Sequence, residues 1–547
     1  MNFIENESAQ KLRGGYYTPL DLAVYITQWV LETQPTSFLE PSCGDGVFIQ
    51  ALAESGIPAG LSFTGFELLA EEAEKSKARS CGVPQLESTI HAKDFLAWAI
   101  KEISTGRHCF DAVIGNPPFI RYQYLQEESQ KNAETIFKLL NLPFTKHTNA
   151  WVPFVLASIA MLKPGGRLGM ILPSEMVHVM HAQSLRTYLG ESCSRLLIID
   201  PEEIWFEDTL QGAIILFAEK KSTASQHGDG LGIVKVRGRN FLKTHPSALF
   251  NDTPRINGKT VEGKWTRALL TSSERALIDE IGDHPFVHRF VDVADVNVGI
   301  VTGANKFFLV TDEVVERFNL QPFAHPMFGR SAHCQGVIYD DLQHKENSRN
   351  GNPTNFIWIN ESQKLSKQVL EYIQLGEEEN LHTRYKCRIR KPWYTVPSVH
   401  ATSVGMLKRS HDTPRLIHNT LGAYTTDTAY RIASKQHRPE KLVYCFLNSL
   451  TALSAELEGR HYGGGVLELV PSEIEKLMLV LPNRVVPELR KLDADIRTMC
   501  VQDVLTRQNL KILSAINLSS SNQDQLANAW LRLKNRRQRV PEVGENL

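Results

Sequence analysis

The 547 residues hold eight scattered cysteines and no Cys-x-x-Cys pair, which excludes the common zinc ribbons and a dithiol redox motif and points to a reduced chain. No run of about 18 apolar residues occurs, so no membrane-spanning helix is expected. The opening Met1-Asn2-Phe3-Ile4-Glu5-Asn6-Glu7 lacks the basic-then-apolar pattern of a secretory leader, and a cytoplasmic location is expected. An excess of one charge is missing too. Sixty Lys and Arg against 61 Asp and Glu leave a net charge of -1, so any contact with a polyanion has to come from a local basic surface. His178 and His181 lie three apart without a carboxylate or cysteine partner in the pattern, and no metal site is expected. Simple repeats and low-complexity tracts are also absent.

What is present begins at Asn116-Pro117-Pro118-Phe119, directly after the apolar run Phe110 to Gly115. At a strand end such a tetrapeptide suits the methylation of a planar amino group. The lone pair of that amine is delocalised, which makes it a poor nucleophile. If the Asn116 side-chain oxygen and the Pro117 carbonyl each accept one amino hydrogen, the nitrogen is pushed toward sp3 and its lone pair turns to the donor. The two prolines fix φ and carry no N–H to compete for the same atoms. Phe119 offers a face for a base.

Upstream, Ser37-Phe38-Leu39 reads as a buried strand, followed by the Gly-rich loop Glu40-Pro41-Ser42-Cys43-Gly44-Asp45-Gly46 and a helix from Val47. Gly44 and Gly46 are not followed by the third Gly or Ala of the dinucleotide fingerprint, which disfavours a nicotinamide cofactor. A second strand ends in Glu67, where a carboxylate reaches ribose hydroxyls in an open α/β sheet. A third ends near His91, with Asp94 placed to accept from an adenine amino group and Phe95 to lie against its face.

With Gly14-Gly15-Tyr16-Tyr17-Thr18-Pro19 ahead of a helix from Leu20 to about Leu31, the chain resembles the gamma-class, Taq-type adenine-specific DNA methyltransferases. The resemblance implies an α/β fold: a Rossmann-like seven-stranded class I methyltransferase domain, a mixed α+β target-recognition domain and a helical C-terminal tail. It implies S-adenosylmethionine as cofactor, contacted by Thr18, Glu40, Ser42, Gly44, Gly46, Glu67, Asp94 and Phe95. Asn116, Pro117 and Phe119 then fall on the catalytic loop. Phe206, with Trp205 as a second candidate, falls on the aromatic beside a flipped base. Double-stranded DNA is the implied partner. A cognate restriction endonuclease would be encoded separately, and one chain holding both parts is expected to act as a monomer.

A polar connector from Lys220 to Gly230 divides the sequence into a catalytic domain over 1–228, a recognition domain over 229–485 and a helical segment over 486–547. Val296 to Val310 alternates β-branched and aromatic residues with glycines and reads as small strands and loops. It is similar to the opening of the family's recognition domain. Arg384, Lys386, Arg388 and Arg390, read as an extended strand, share one face and form a basic ridge ending in Trp393 and Tyr394. Arg460, before the run Gly463-Gly464-Gly465, is a further DNA candidate. The tail Lys534, Arg536, Arg537 and Arg539 reads equally as a phosphate contact or a solvated helix.

The catalytic tetrapeptide is shared by methylases of glutamine amides and ribosomal RNA, which are usually shorter. A modification subunit of a multi-subunit restriction system normally carries a helical domain before the Tyr-x-Thr-Pro segment. A catalytically silent DNA-binding protein on the same scaffold is a fourth reading, against which the intact loop argues.

Overall fold

The computed structural model describes residues 18–107, 109–203, 205, 212–257, 263–360, 364–462 and 464–540. Pro19 precedes α1 (Leu20–Leu31), and its carbonyl accepts from Ala23 N at 3.1 Å. Leu22, Tyr25, Ile26, Trp29 and Val30 recur at helical spacing and are all buried, so α1 presents one apolar face to the sheet beneath it. Trp29 stacks on Phe217 of that sheet at 4.3 Å.

Alternation of strand and helix then runs through β1 (Ser37–Glu40), α2 (Val47–Ser55), β2 (Ser62–Glu67), α3 (Ala70–Cys81), β3 (Glu87–Ala92), α4 (Phe95–Ser104) and β4 (Phe110–Gly115). It continues with α5 (Glu127–Leu139), α6 (Trp151–Met161), β5 (Leu162–Pro173), α7 (Gln183–Ser192), β6 (Cys193–Pro201), β7 (Ala213–Lys220), β8 (Gly230–Val236) and β9 (Arg255–Ile256). The strands form one sheet in the order β3-β2-β1-β4-β5-β7-β6-β8-β9. β1 to β5 are mutually parallel where they pair, and β7 runs antiparallel between β5 and β6. The first seven strands give the Rossmann-like methyltransferase arrangement expected from the sequence.

Two further strands extend it. β8 pairs in parallel with β6 from Arg195↔Gly230 to Pro201↔Val236, so the sheet continues past the polar connector. The expected boundary at residue 228 therefore moves: one compact unit comprises residues up to Leu269 with a short return at Arg539, and the other comprises Leu270–Gln538. The connector is a loop between strands of a single sheet. A polar, Gly-containing stretch looks the same whether it joins two domains or two strands.

The second unit is mixed α+β. It holds a five-stranded sheet of Ala294–Val298, Ala429–Ser434, Val404–Leu407, Leu416–Asn419 and Ile338–Tyr339, with smaller sheets beside it. The C-terminal helices Leu489–Thr498, Val501–Ile512 and Ser520–Gln538 belong to this unit. The last of them packs along the helix Ser449–Glu458. Arg537 on it makes an ion pair with Glu456 at 2.7 Å, both side chains fully buried, and donates to His411 O at 2.9 Å. Lys534, also buried, pairs with Asp412 at 2.9 Å. These two tail cations therefore fix the C-terminal helix in place and are neither solvated nor turned outward to a phosphate. No described helix is long and apolar enough to cross a membrane.

In the first unit, one carboxylate holds the amino ends of β1 and β4 together. Asp111 Oδ2 accepts from Thr36 N, Thr36 Oγ1, Ser37 N and Ser37 Oγ at 2.8 to 3.1 Å, and Oδ1 accepts from Lys163 Nζ at 2.9 Å. Burial pushes this acid up, but the bonds from Lys163, Ser37 and Thr36 outweigh it and hold the pKa down to about 2. A folded-state value below the unfolded one, about 3.9, stabilises the native chain above that pH, and the contribution is lost as pH falls toward 2. Asp111→Asn is expected to lower the unfolding free energy at pH 7 by about 1–3 kcal/mol and to flatten the acid limb of stability between about pH 4 and 2. Urea unfolding across that range measures both effects.

Candidate active site

The strand order reverses between β1 and β4, and in open parallel sheets ligands bind outside the carboxyl ends of the strands at such a point. The loop leaving β1 there is held by tertiary contacts. Gly44 and Gly46 have φ of +49° and +86°, a backbone that side-chain-bearing residues rarely adopt. Ser76 Oγ of α3 donates to Gly44 O at 2.8 Å, and a Cβ at Gly46 would lie 3.0 Å from the same oxygen. Asp45 is paired with Arg79 at 3.0 Å. A Cβ at Gly44, by contrast, would meet nothing within 4 Å, so this turn presents its backbone to open space.

Glu67 and Asn116 converge on this loop, and Thr18 is tied to it through Asn116. Glu67, at the end of β2, accepts from Gly44 N at 3.1 Å through one oxygen and from Leu69 N at 3.0 Å through the other. Ser42 Oγ donates to Asn116 O at 3.0 Å, tying the Gly-rich loop to the segment after β4. Asn116 Nδ2 donates to Thr18 Oγ1 at 3.2 Å. With the amide nitrogen turned to Thr18, its oxygen lies on the opposite branch. Pro117 is buried, and Phe119 is half-buried against the core between α1, α2 and the sheet.

Glu40 closes β1 at 1% exposure, and its Oε2 has no hydrogen-bond partner among the described residues. Burial, with the charges of Asp45 and Glu67 adding to it, raises this carboxyl well above the usual carboxylate range. An acid in that condition is stabilised by a cationic or hydrogen-bond-donating ligand. The donor set, the open Gly44 turn and the orphaned Glu40 oxygen fit a small cofactor bearing positive charge and hydroxyl groups.

Two expected contacts look different in the structure. Asp94 caps α4 by accepting from Leu96 N at 2.8 Å, and its other oxygen accepts from Asn132 Nδ2 at 2.8 Å. Phe95 is 2% exposed and packed by Phe66, Trp98 and Phe154 at centroid distances of 5.5 to 6.2 Å. It is a core aromatic rather than an open stacking face. Trp205 is likewise core, stacked on Phe241 at 5.7 Å beneath the Arg239 guanidinium, and Phe206 lies outside the described residues. Sequence reading missed Ser76, Arg79 and Asn132, the residues that hold the loops. Each lies at least 29 positions from its partner, so no local pattern marks it.

The basic segment of the second unit is not a strand. Tyr385–Arg388 forms one helical turn, with Cys387 buried in the cluster of Phe307, Tyr372 and Trp393. In a helix, positions two apart are turned about 200° from each other, so Arg384, Lys386, Arg388 and Arg390 do not share one face. The first three are exposed, whereas the Arg390 guanidinium donates to Val301 O and Thr302 O at 2.6 and 2.7 Å. Trp393 is buried and donates to Glu377 at 3.0 Å, so it does not end an open ridge. Arg460 sits on a hairpin strand and is paired with the buried Glu473 at 3.0 Å, which spends its charge within the unit.

Removing a buried Phe side chain costs about 3–5 kcal/mol, more than a stacking contact contributes. Phe95→Ala is therefore expected to lose that much stability in urea unfolding while the folded fraction keeps its cofactor affinity within about tenfold. Unchanged stability with selective loss of affinity would return the ring to the cofactor site.

Residues 62–205 match the model of the Eco57I restriction-modification methylase family, and residues 262–513 match that of the C-terminal domain of the type II methyltransferase M.Eco57I. The type II methyltransferase M.AccI of Acinetobacter calcoaceticus is 25% identical over 487 residues, 85% of each chain. M.HindII of Haemophilus influenzae is 21% identical over 328 residues, 56% of this chain and 57% of its own length. Among solved structures, the type IIG restriction endonuclease BpuSI superposes with a TM-score of 0.42 at 13% identity, over 97% of this chain and 67% of that one. Two models of Eco57I-type restriction-modification methylases thus match separate stretches that together make up most of this sequence, and over those stretches the chain is similar to that family.

Proposed function

We propose that this protein methylates the exocyclic amino nitrogen of an adenine in double-stranded DNA, at a sequence selected by its second unit. One observation carries the reading: Asn116-Pro117-Pro118-Phe119 leaves the end of β4 joined to the Gly-rich loop of β1 by the Ser42 bond. That contact puts an amino-group cradle beside the cofactor loop.

The cofactor is S-adenosylmethionine, which when bound supplies a methyl group activated by a positively charged sulfur. Glu40 and Glu67 hold it through its charge and its ribose hydroxyls, and the Gly44 turn admits it close to the backbone. The adenine is rotated out of the duplex and its ring lies against Phe119. Asn116 Oδ1 and the Pro117 carbonyl each accept one amino hydrogen, which directs the nitrogen lone pair out of the ring plane and toward the methyl group. Thr18 fixes the orientation of the Asn116 amide. Positioning of this kind contributes up to roughly 7–11 kcal/mol in favourable cases, so no strong general base is needed and the proton passes to solvent. In the second unit, Arg384, Lys386 and Arg388 neutralise phosphates. The protein acts as a monomer in the cytoplasm, paired with a separately encoded endonuclease.

Expression in a methylation-free bacterial host, followed by modification-sensitive long-read sequencing, is expected to reveal methylated adenine in one sequence context for the wild type and none for Asn116→Ala. Unmodified DNA from a host making soluble wild-type protein would overturn the reading. In vitro, Asn116→Ala is expected to lose about 10²–10³-fold in single-turnover rate with S-adenosylmethionine affinity retained in calorimetry. Glu67→Ala is expected to show the reverse pattern, an affinity loss of about tenfold or more. Equal loss of rate and affinity in Asn116→Ala would make that residue structural.

A further inference from the structure

We infer that Tyr385 and Ile389 form a base-contacting tip on the second unit, pressed against an opened base step of duplex DNA while the neighbouring cations hold the phosphates. This rests on the DNA reading above. Two large apolar side chains four positions apart, across one helical turn, are 64% and 60% exposed. A single exposed hydrophobic residue is ordinary, but Val298 and Val301, on the segment that Arg390 holds, are exposed as well, at 42% and 38%. The contact between the two segments is close: a Cβ at Gly303 would lie 2.7 Å from Lys386 Cβ.

The surroundings select the partner. Lys386 Nζ and Arg388 Cζ lie 5.5 and 5.8 Å from the centroid of the Tyr385 ring, and Arg384 and Lys391 beside them are exposed. No acidic residue interrupts residues 384–391. An apolar tip whose own segment carries only cations complements a polyanion with flat apolar faces inside it, which is duplex DNA. The tip is also rigid. Cys387 is buried beneath it with Sγ 3.8 Å from Thr302 O, and Arg390 clamps Val301 O and Thr302 O. Little ordering is left to do on binding.

Stacking and phosphate contacts separate by salt. The test measures binding of linearised plasmid DNA by full-length protein at several salt concentrations. Tyr385→Ala is expected to weaken binding about tenfold at every salt concentration without changing the slope of log affinity against log salt, and Tyr385→Phe, which keeps the ring, to stay within about twofold. The double variant Lys386→Ala with Arg388→Ala is expected to reduce the slope by about 1.8, roughly 0.9 per phosphate contact. Retained S-adenosylmethionine affinity and an unchanged thermal midpoint report that each variant is folded. Wild-type affinity in Tyr385→Ala, or a loss that appears only as a smaller slope, overturns the tip and leaves the methylation reading standing; the first result would assign the patch to a protein partner. A wild type that neither binds nor methylates duplex DNA overturns both.

Discussion

Parallel pairing of β1 with β4 puts the two strand ends side by side while the helices after them pack on opposite faces of the sheet: α1, α2 and α3 on one, α4, α5 and α6 on the other. Their carboxyl ends and the loops that leave them carry Glu40, Ser42 and Asn116, which the strand pairing brings together. Glu40 ends one strand and Asn116 follows the other, so a sequence separation of 76 positions collapses to loops joined by the Ser42 bond. At the opposite ends the same pairing is held by Asp111, whose carboxylate gathers five donors from β1, the residue before it and Lys163. The anchored end and the open end of the strand pair thus have opposite chemistry. One satisfies its charge internally, and at the other a buried acid oxygen meets no partner among the described residues.

The same division between satisfied and unsatisfied charge organises the second unit. Glu456 with Arg537 and Glu473 with Arg460 are drawn inward, and Lys534 is buried against an exposed Asp412; breaking a fully buried pair typically costs about 3–5 kcal/mol. Those cations hold the fold together. Among those left outward, Lys386 and Arg388 lie at one exposed ring, with Arg384 next to it in sequence. With a net charge of -1 over the chain, attraction for a polyanion depends on where uncommitted Lys and Arg residues gather on one surface, not on their total of 60.

Much of the catalytic unit was legible in the sequence because its signals are local. Leu20 to Leu31 shows helical spacing of apolar residues, Phe110 to Gly115 is a continuous apolar run, and Gly44 and Gly46 mark a turn that other residues adopt only with strain. Legibility failed where one local pattern serves two structures. The 220–230 connector has the composition of an interdomain linker and joins two strands of one sheet. The alternating Arg and Lys of 384–390 has the period of a strand, yet burial of Cys387 wraps it into a helical turn. Phe95 has the right place for a stacking ring and is consumed by the aromatic core.

By itself the sequence determined the Gly-rich turn and the first strands of the sheet and marked Asn116-Pro117-Pro118-Phe119 as a candidate amino-group cradle, since periodicity, positive φ and the missing proline N–H are properties of short segments. Tertiary structure alone decided which polar groups are spent and which are left for ligands. Asp94 is taken by Asn132 and Arg460 by Glu473, while one Glu40 oxygen meets no partner among the described residues and Tyr385 stays exposed. The reason is physical: a side chain's chemistry is set by its type, but its availability depends on burial and on partners brought from distant positions, which no short stretch of sequence encodes.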